Sequence, residues 1–212
     1  MKNTLGAALL VAAGFAALSS CTKDPLKNMS ADESRIYITN HDSSAAFSSY
    51  KTYSLADSVT LVDNGRVAGR EATSWDVQLT SAIAAAMNAR GYTRVARTAN
   101  PDLGINVSRI YNTSTNVVDL SNYYGGYGGY YDPYYWGYGG YGYYFPPAYG
   151  YYQSTEALLS VDMLDLKNAA TTGKIKGIWN GVVRGESIFN SSNVQMHVQA
   201  LFDQSPYLKT TP

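Results

Sequence analysis

Glu156-Ala157-Leu158-Leu159-Ser160-Val161-Asp162-Met163-Leu164-Asp165-Leu166 decides the fold class of this chain. Leu159, Val161 and Met163 alternate with Ser160 and Asp162. A period of two sends successive side chains to opposite sheet faces, so this is a strand with one apolar face. Asn168 to Gly173 is a turn, and Lys174 to Arg184, centred on Ile178-Trp179, reads as the returning strand. Strand, turn and strand at this spacing make a hairpin. Its apolar face has to be buried against another layer.

Upstream, Asn100-Pro101-Asp102 is a turn, and Leu103, Ile105 and Val107 then alternate with Gly104, Asn106 and Ser108 in a strand running to about Tyr111. Thr73 to Arg90 is the clearest helix. Thr73 followed by Asp76 has the spacing of a capping box, and Trp75, Leu79, Ile83, Ala86 and Met87 form an apolar stripe. Gly91 suits a left-handed helix cap. Arg35 to Thr39 and Lys51 to Leu55 read as short strands, and Asp57 to Arg70, with Gly65 and Gly69, as a loop. Asn193 to Gln204 is a second helix with Val194, Val198, Leu201 and Phe202 on one side, ended by Pro206. The expected fold class is α+β: a two-layer sandwich with an antiparallel-leaning sheet of about four strands and two helices on one face, in β-α-β-β-β-α order. Residues 35–208 form this single domain. The other sheet face, covered or solvated, takes the polar alternates Asn106, Ser108, Ser160 and Asp162.

The N-terminus speaks to location. Met1-Lys2-Asn3 is a short basic start, and Leu5 to Leu18 is an uncharged run too short to span a bilayer, the pattern of a secretory signal over residues 1–20. The run ends in Leu18-Ser19-Ser20-Cys21, which resembles the bacterial lipobox. Cys21 is the only cysteine, and it is the expected lipidation site. One acyl chain binds a membrane reversibly, and two or three on one cysteine make release negligible. Thr22 replaces the aspartate that marks inner-membrane retention in many Gram-negative bacteria, which favours the outer membrane, periplasmic or surface-facing. Residues 21–34 are polar and read as a flexible tether reaching on the order of 20 Å. Lys+Arg and Asp+Glu both number 16, leaving no basic face for nucleic acid.

Tyrosine is the one abnormal count, 20 in the chain, and most of them fall with many of the glycines in an inserted loop at residues 121–153. Glycine makes order entropically costly, so a mobile loop is one reading. Tyrosine carries a flat apolar face and a hydroxyl, so a loop that binds glycan, protein or membrane headgroups is the other. Its candidate contact residues are Tyr124, Tyr127, Tyr130, Tyr134, Trp136, Tyr141, Tyr144 and Tyr151. No catalytic set emerges. His41 and His197 lack companions at metal-ligand spacing and read as surface or helix-flank residues. Asp162 and Asp165 fall on opposite sides of their strand, and no serine sits in a Gly-x-Ser-x-Gly elbow. No metal or cofactor is expected.

Several segments occur in an order that resembles a known family. They are Phe47 with Tyr50-Lys51-Thr52-Tyr53, Ala89-Arg90-Gly91-Tyr92, Pro101-Asp102-Leu103, Leu159 to Asp165, Gly173-Lys174, Ile178-Trp179-Asn180-Gly181, and Ala200-Leu201-Phe202 with Pro206. The chain is similar to the bacterial lipoprotein family of domain of unknown function 4136 from Phe47 to Pro206. The resemblance implies an envelope lipoprotein with an α+β domain and supplies no catalytic residues. The leading expectation is a non-catalytic, lipid-anchored structural or interaction module, its partners the membrane and an envelope protein or glycan. The alternatives are a glycan-active or hydrolytic envelope enzyme and a small-ligand carrier.

Overall fold

The computed structural model describes residues 30, 32–63, 66–111, 117–119, 135–144, 151–153 and 157–211. Cys21 and Tyr124, Tyr127, Tyr130 and Tyr134 lie outside the described residues. The chain forms two compact units, Met1–Glu33 and Ser34–Pro212. Within the first, the Ser30 amide and hydroxyl donate to the Glu33 carboxylate. The second holds all the strands and helices that follow.

Its strands are β1 (Ile36–His41), β2 (Thr52–Leu55), β3 (Val59–Asp63), β4 (Arg66–Glu71), β5 (Thr93–Arg94), β6 (Leu103–Tyr111), β7 (Val117–Asp119), β8 (Gly142–Tyr144), β9 (Tyr151–Gln153), β10 (Leu158–Asp165) and β11 (Lys174–Arg184). The helices are α1 (Ser74–Ala89), α2 (Ala169–Thr172) and α3 (Val194–Asp203). Local chemistry sets the main boundaries. Thr73 accepts from the Asp76 amide while the Asp76 carboxylate accepts from the Thr73 amide, a complete capping box that starts α1. Gly173, at φ +66°, closes α2 in the left-handed region that glycine tolerates best.

Nine strands form one mixed sheet, ordered β1-β11-β10-β6-β2-β5, with β3 and its partner β4 also along β6, and β8 beside β11. β7 and β9 pair separately. The sheet replaces the expected four-strand, antiparallel-leaning one, for three physical reasons. First, α1 carries the chain across from β2 and β3 to β5 and β6, and such a crossover makes these strands parallel: β2 with β5 and β6, and β3 with β6. Second, residues expected to loop between Asp57 and Arg70 form the β3–β4 hairpin, driven by the β-rich run Val59-Thr60-Leu61-Val62. Third, the Tyr/Gly insertion contributes β8, parallel to β11.

The sheet is buried on both faces. On one, α1 and α3 close a core that includes Leu79, Ile83, Met87, Leu103, Ile105, Val107, Val161, Met163, Trp179, Leu201 and Phe202. On the other, Val62, Ile110, Trp136, Leu158, Leu164, Ile175 and Val182 form a second cluster. Asn106, Ser108, Ser160 and Asp162 share that second face, each 2% exposed or less. The polar alternates are therefore interior groups.

One irregularity positions the candidate site. β2 lies beside Leu103–Ile105, and β3 lies beside Ser108–Tyr111 of the same strand. Between them the Ala56 amide still donates to the Ile105 carbonyl at 3.1 Å, and Asp57 and Ser58 leave the ladder. The sheet edge is thus notched where β2 ends.

Candidate functional site

Part of the tyrosine-rich insertion is seated on the sheet beside this notch. Gly104 has no Cβ, and an added one would lie 3.1 Å from Trp136 Cζ2 and 3.0 Å from Leu166 Cδ1. The Trp136 indole rests on that bare backbone and is 5% exposed. The Tyr138 hydroxyl donates to the Leu166 carbonyl at 3.0 Å, and Tyr141 packs partly buried against the same cluster. The Tyr135 ring meets Trp136 edge-on at 4.9 Å between centroids. These contacts pin the turn that presents Tyr135 to the notch.

Two arginines flank the Tyr135 ring, and a third, Arg94, lines the cleft beside it. The Arg70 and Arg97 guanidinium carbons lie 5.0 and 4.8 Å from its ring centroid, within cation–π range. Arg97 also donates to the Tyr135 carbonyl. The Tyr135 hydroxyl donates to Asp57 at 3.3 Å. Burial first, and then the neighbouring Asp57 charge, raise the Tyr135 phenol above its ordinary pKa, so it stays protonated near neutrality. Arg70 is fixed by bonds to the Ser58 hydroxyl and carbonyl and to the Thr60 hydroxyl, at 2.8, 2.8 and 3.0 Å. Arg94 is exposed at the end of β5. A cleft of about 420 Å³ opens here, lined by Ser54, Leu55, Asp57, Arg94, Arg97 and Tyr135. Arg109 and Lys176 make salt bridges with acidic groups, whereas these three arginines make none among the described residues.

A second polar constellation lies inside. Asn40 of β1 pairs in register with Asn180 of β11, Asn180 with Asp162 of β10, and Asp162 with Asn106 of β6. Four polar side chains thus form one row across four strands. Asn180 Nδ2 donates to Asp162 at 2.5 Å and to Ser160 at 3.0 Å. The Ser160 hydroxyl donates to Asp162 at 3.1 Å, and Asn106 Nδ2 to Ser108 at 3.2 Å. The row brings together one carboxylate, amides and hydroxyls. Among the described residues no group of three His, Cys, Asp or Glu side chains could hold a metal ion.

The expected contact residues divide. Trp136 is a buried packing residue, Tyr141 is half-buried, and Tyr144 and Tyr151 belong to β8 and β9. His197, expected at a surface or helix flank, is fully buried: Nε2 donates to the Ile188 carbonyl at 2.9 Å, and Nδ1 accepts from the Tyr37 hydroxyl at 3.0 Å. His41 stacks on Tyr207 at 4.1 Å between centroids. Sequence reasoning missed Tyr135, Arg70, Arg94 and Arg97. The pair Arg94 and Arg97 is visible as two cations three residues apart, but only the fold sets Arg70 and Tyr135 beside them.

The family described as domain of unknown function DUF4136 matches residues 38–207. This chain belongs to that family. The DUF4136 chain is similar to a crystal structure of a DUF4136 family protein from Bacteroides thetaiotaomicron, with 28% sequence identity and a TM-score of 0.64, over 84% of this chain and 99% of that one. A PelC dodecamer from Paraburkholderia phytofirmans aligns with 11% identity and a TM-score of 0.40, over 84% of this chain and 99% of that one. A PDZ domain protein from Parabacteroides distasonis aligns with 14% identity and a TM-score of 0.39, over 83% of this chain and 37% of that one. No curated protein matches the chain. Among the described residues, no helix of the DUF4136 chain is long and apolar enough to cross a membrane.

Proposed function

We propose that this DUF4136 protein is a lipid-anchored lipoprotein of the bacterial cell envelope, resident in the outer membrane, and that it works as a non-catalytic structural or interaction module. The tether reading rests on Leu18-Ser19-Ser20-Cys21 after the apolar run and on the polar residues that follow. The observation that carries the contact role is the seating of residues 135–144. Trp136 clamps the insertion to the sheet at Gly104. Tyrosines on both sides of that clamp, Tyr124 to Tyr134 and Tyr144 to Tyr151, belong to a segment rooted in the domain. Rooting reduces the ordering entropy that a tyrosine-rich contact surface loses on binding an envelope protein or glycan.

Two experiments test the two halves. Cys21→Ala abolishes palmitate labelling and releases the protein from the membrane fraction; retention of label refutes the anchor. Replacing Tyr124, Tyr127, Tyr130 and Tyr134 by Ser leaves Trp136 in place and so leaves the sheet covered. Cross-linking of this variant in intact cells loses the envelope adducts of the unaltered protein; an unchanged adduct pattern refutes the contact role. Protease shaving of intact cells then separates the surface-facing from the periplasmic orientation.

A further inference from the structure

The notch at the end of β2 carries a ligand class of its own, independent of the tether and of the insertion's outer tyrosines. The geometry points to the Arg94–Arg97–Tyr135 cleft as a binding site for a small polyhydroxylated oxyanion, a sugar carboxylate or a sugar phosphate.

Charge comes first. Arg94 and Arg97 line the cleft, Arg70 lies over the ring of its Tyr135 wall, and Asp57 is the one carboxylate among the described lining residues. In a chain with equal numbers of acidic and basic residues, this local excess of cations is specific to the place. A guanidinium stays charged at any physiological pH, and a partly enclosed cleft focuses its field on an entering anion.

The three arginines differ in what they offer. Arg70 spends Nε, Nη1 and Nη2 on Ser58 and Thr60, so it contributes a fixed positive field and no open fork. Arg97 is oriented by one bond from Nη1 to the Tyr135 carbonyl, which leaves its other edge open. Arg94 makes no hydrogen bond among the described residues and lines the same cleft. Two open guanidinium edges can receive a carboxylate or phosphate in paired, charge-assisted hydrogen bonds.

Asp57 then selects among anions. Its carboxylate already accepts from the Tyr135 hydroxyl and keeps acceptor sites open beside the arginines. A bare anion gains nothing from it, whereas a ligand with hydroxyls next to its charged group donates to it. The size agrees, because about 420 Å³ admits a single sugar unit and lies within the range of small-ligand clefts.

The test uses the full chain in detergent micelles and calorimetric titration with three probes: glucuronate, glucose 6-phosphate and glucose. Saturable binding of at least one charged probe, with none for glucose, is the expected result. The stronger of the two charged probes identifies carboxylate or phosphate as the group read. Arg94→Gln removes no intramolecular bond and leaves the fold intact by circular dichroism. It weakens the charged probe about tenfold, the loss of one charge-assisted pair. Arg97→Gln weakens it at least as much, and Lys174→Gln, outside the cleft, leaves it unchanged. The site is overturned if neither charged probe binds at millimolar concentration, if glucose binds equally, or if Arg94→Gln binds like the unaltered protein.

Discussion

Trp136→Ala tests whether the tyrosine-rich insertion is part of the folded domain. Trp136 is 5% exposed, and its indole contacts the bare backbone of Gly104. A tryptophan of this burial removes about 200 Å² from water, worth about 5 kcal/mol at 25 cal/mol per Å². A compact unfolded chain already hides part of that area, which lowers the figure to roughly 3–4 kcal/mol. Partial collapse of the turn into the vacated space brings the expected loss to about 3 kcal/mol. For a domain of this size the melting midpoint then falls by about 6–12 °C. Urea unfolding followed by circular dichroism measures the change, with Val77→Ala, 53% exposed on α1, as a control expected to shift by less than about 0.5 kcal/mol. A second substitution ties the effect to the contact. Gly104→Ala puts a methyl 3.1 Å from the indole and costs about 1–2 kcal/mol in the unaltered chain. In the Trp136→Ala background the indole share of that cost disappears, while the 3.0 Å approach to Leu166 Cδ1 remains, so about half is recovered. A Trp136→Ala loss below about 1 kcal/mol, or a Gly104→Ala cost equal in both backgrounds, refutes the seating of the insertion on the sheet.

Two other interior groups give sharp expectations. Burial chiefly lowers the His197 pKa, so the folded protein holds the ring neutral below the value of about 6.5 at which the unfolded chain takes up a proton. Stability from this residue is full above about pH 6.5 and falls, by at most about 1.4 kcal/mol per pH unit, as pH drops toward the lowered folded value. His197→Gln removes that share of the slope in urea midpoints measured between about pH 7.5 and 5; an identical slope in both proteins contradicts it. Arg109 pairs with Glu71 at 2.6 Å and with Asp76, 1% exposed, at 3.2 Å. Arg109→Met strands the Asp76 charge indoors and costs about 3 kcal/mol, and Arg109→Met with Asp76→Asn recovers about half; no recovery in the double variant means the pair is not coupled.

The parts of this fold legible in the sequence are those whose causes are local. Thr73 and Asp76 sit three apart and form their capping box wherever the helix packs. β6 and β11 keep the bounds read from the sequence, because the strand pattern is written residue by residue even where both faces are buried. Where local signals conflicted, the reading failed. Gly65, Gly69 and the mixed polar residues between Asp57 and Arg70 point to a loop against the strand run Val59 to Val62, although Asn64-Gly65 is itself a hairpin signal. Parallel pairing of β2 and β6 depends on the path of α1, which no residue encodes singly. The cleft was invisible for the same reason: Arg70, Tyr135 and the Arg94–Arg97 pair come from three separate segments. Gly104 did carry a legible cue, since glycine inside an alternating strand marks a close approach. The approaching residue, Trp136, lay among tyrosines and glycines whose composition gives no period.

The buried polar row follows from the same geometry. The face that carries the polar alternates, expected to be covered or solvated, lies indoors, so its polar groups must be hydrogen-bonded to be tolerated. Ser160, on the same strand, donates to Asp162 in any register, but Asn180 meets that requirement only in the observed one. Sliding β11 by two residues along β10 keeps every side chain on its proper face, so the apolar pattern alone does not forbid it. That slip sets Asp162 opposite Val182, a neighbour that can donate nothing. A buried carboxylate loses more than a methyl group gains in such an exchange. The row is therefore a register lock, placed on the central strands β10 and β11 where hydrophobic alternation is most permissive. On the other side of β10, Gly104 of β6 is aligned with Leu164, where Trp136 takes its seat and sets Tyr135 beside the notch between Arg70 and Arg97.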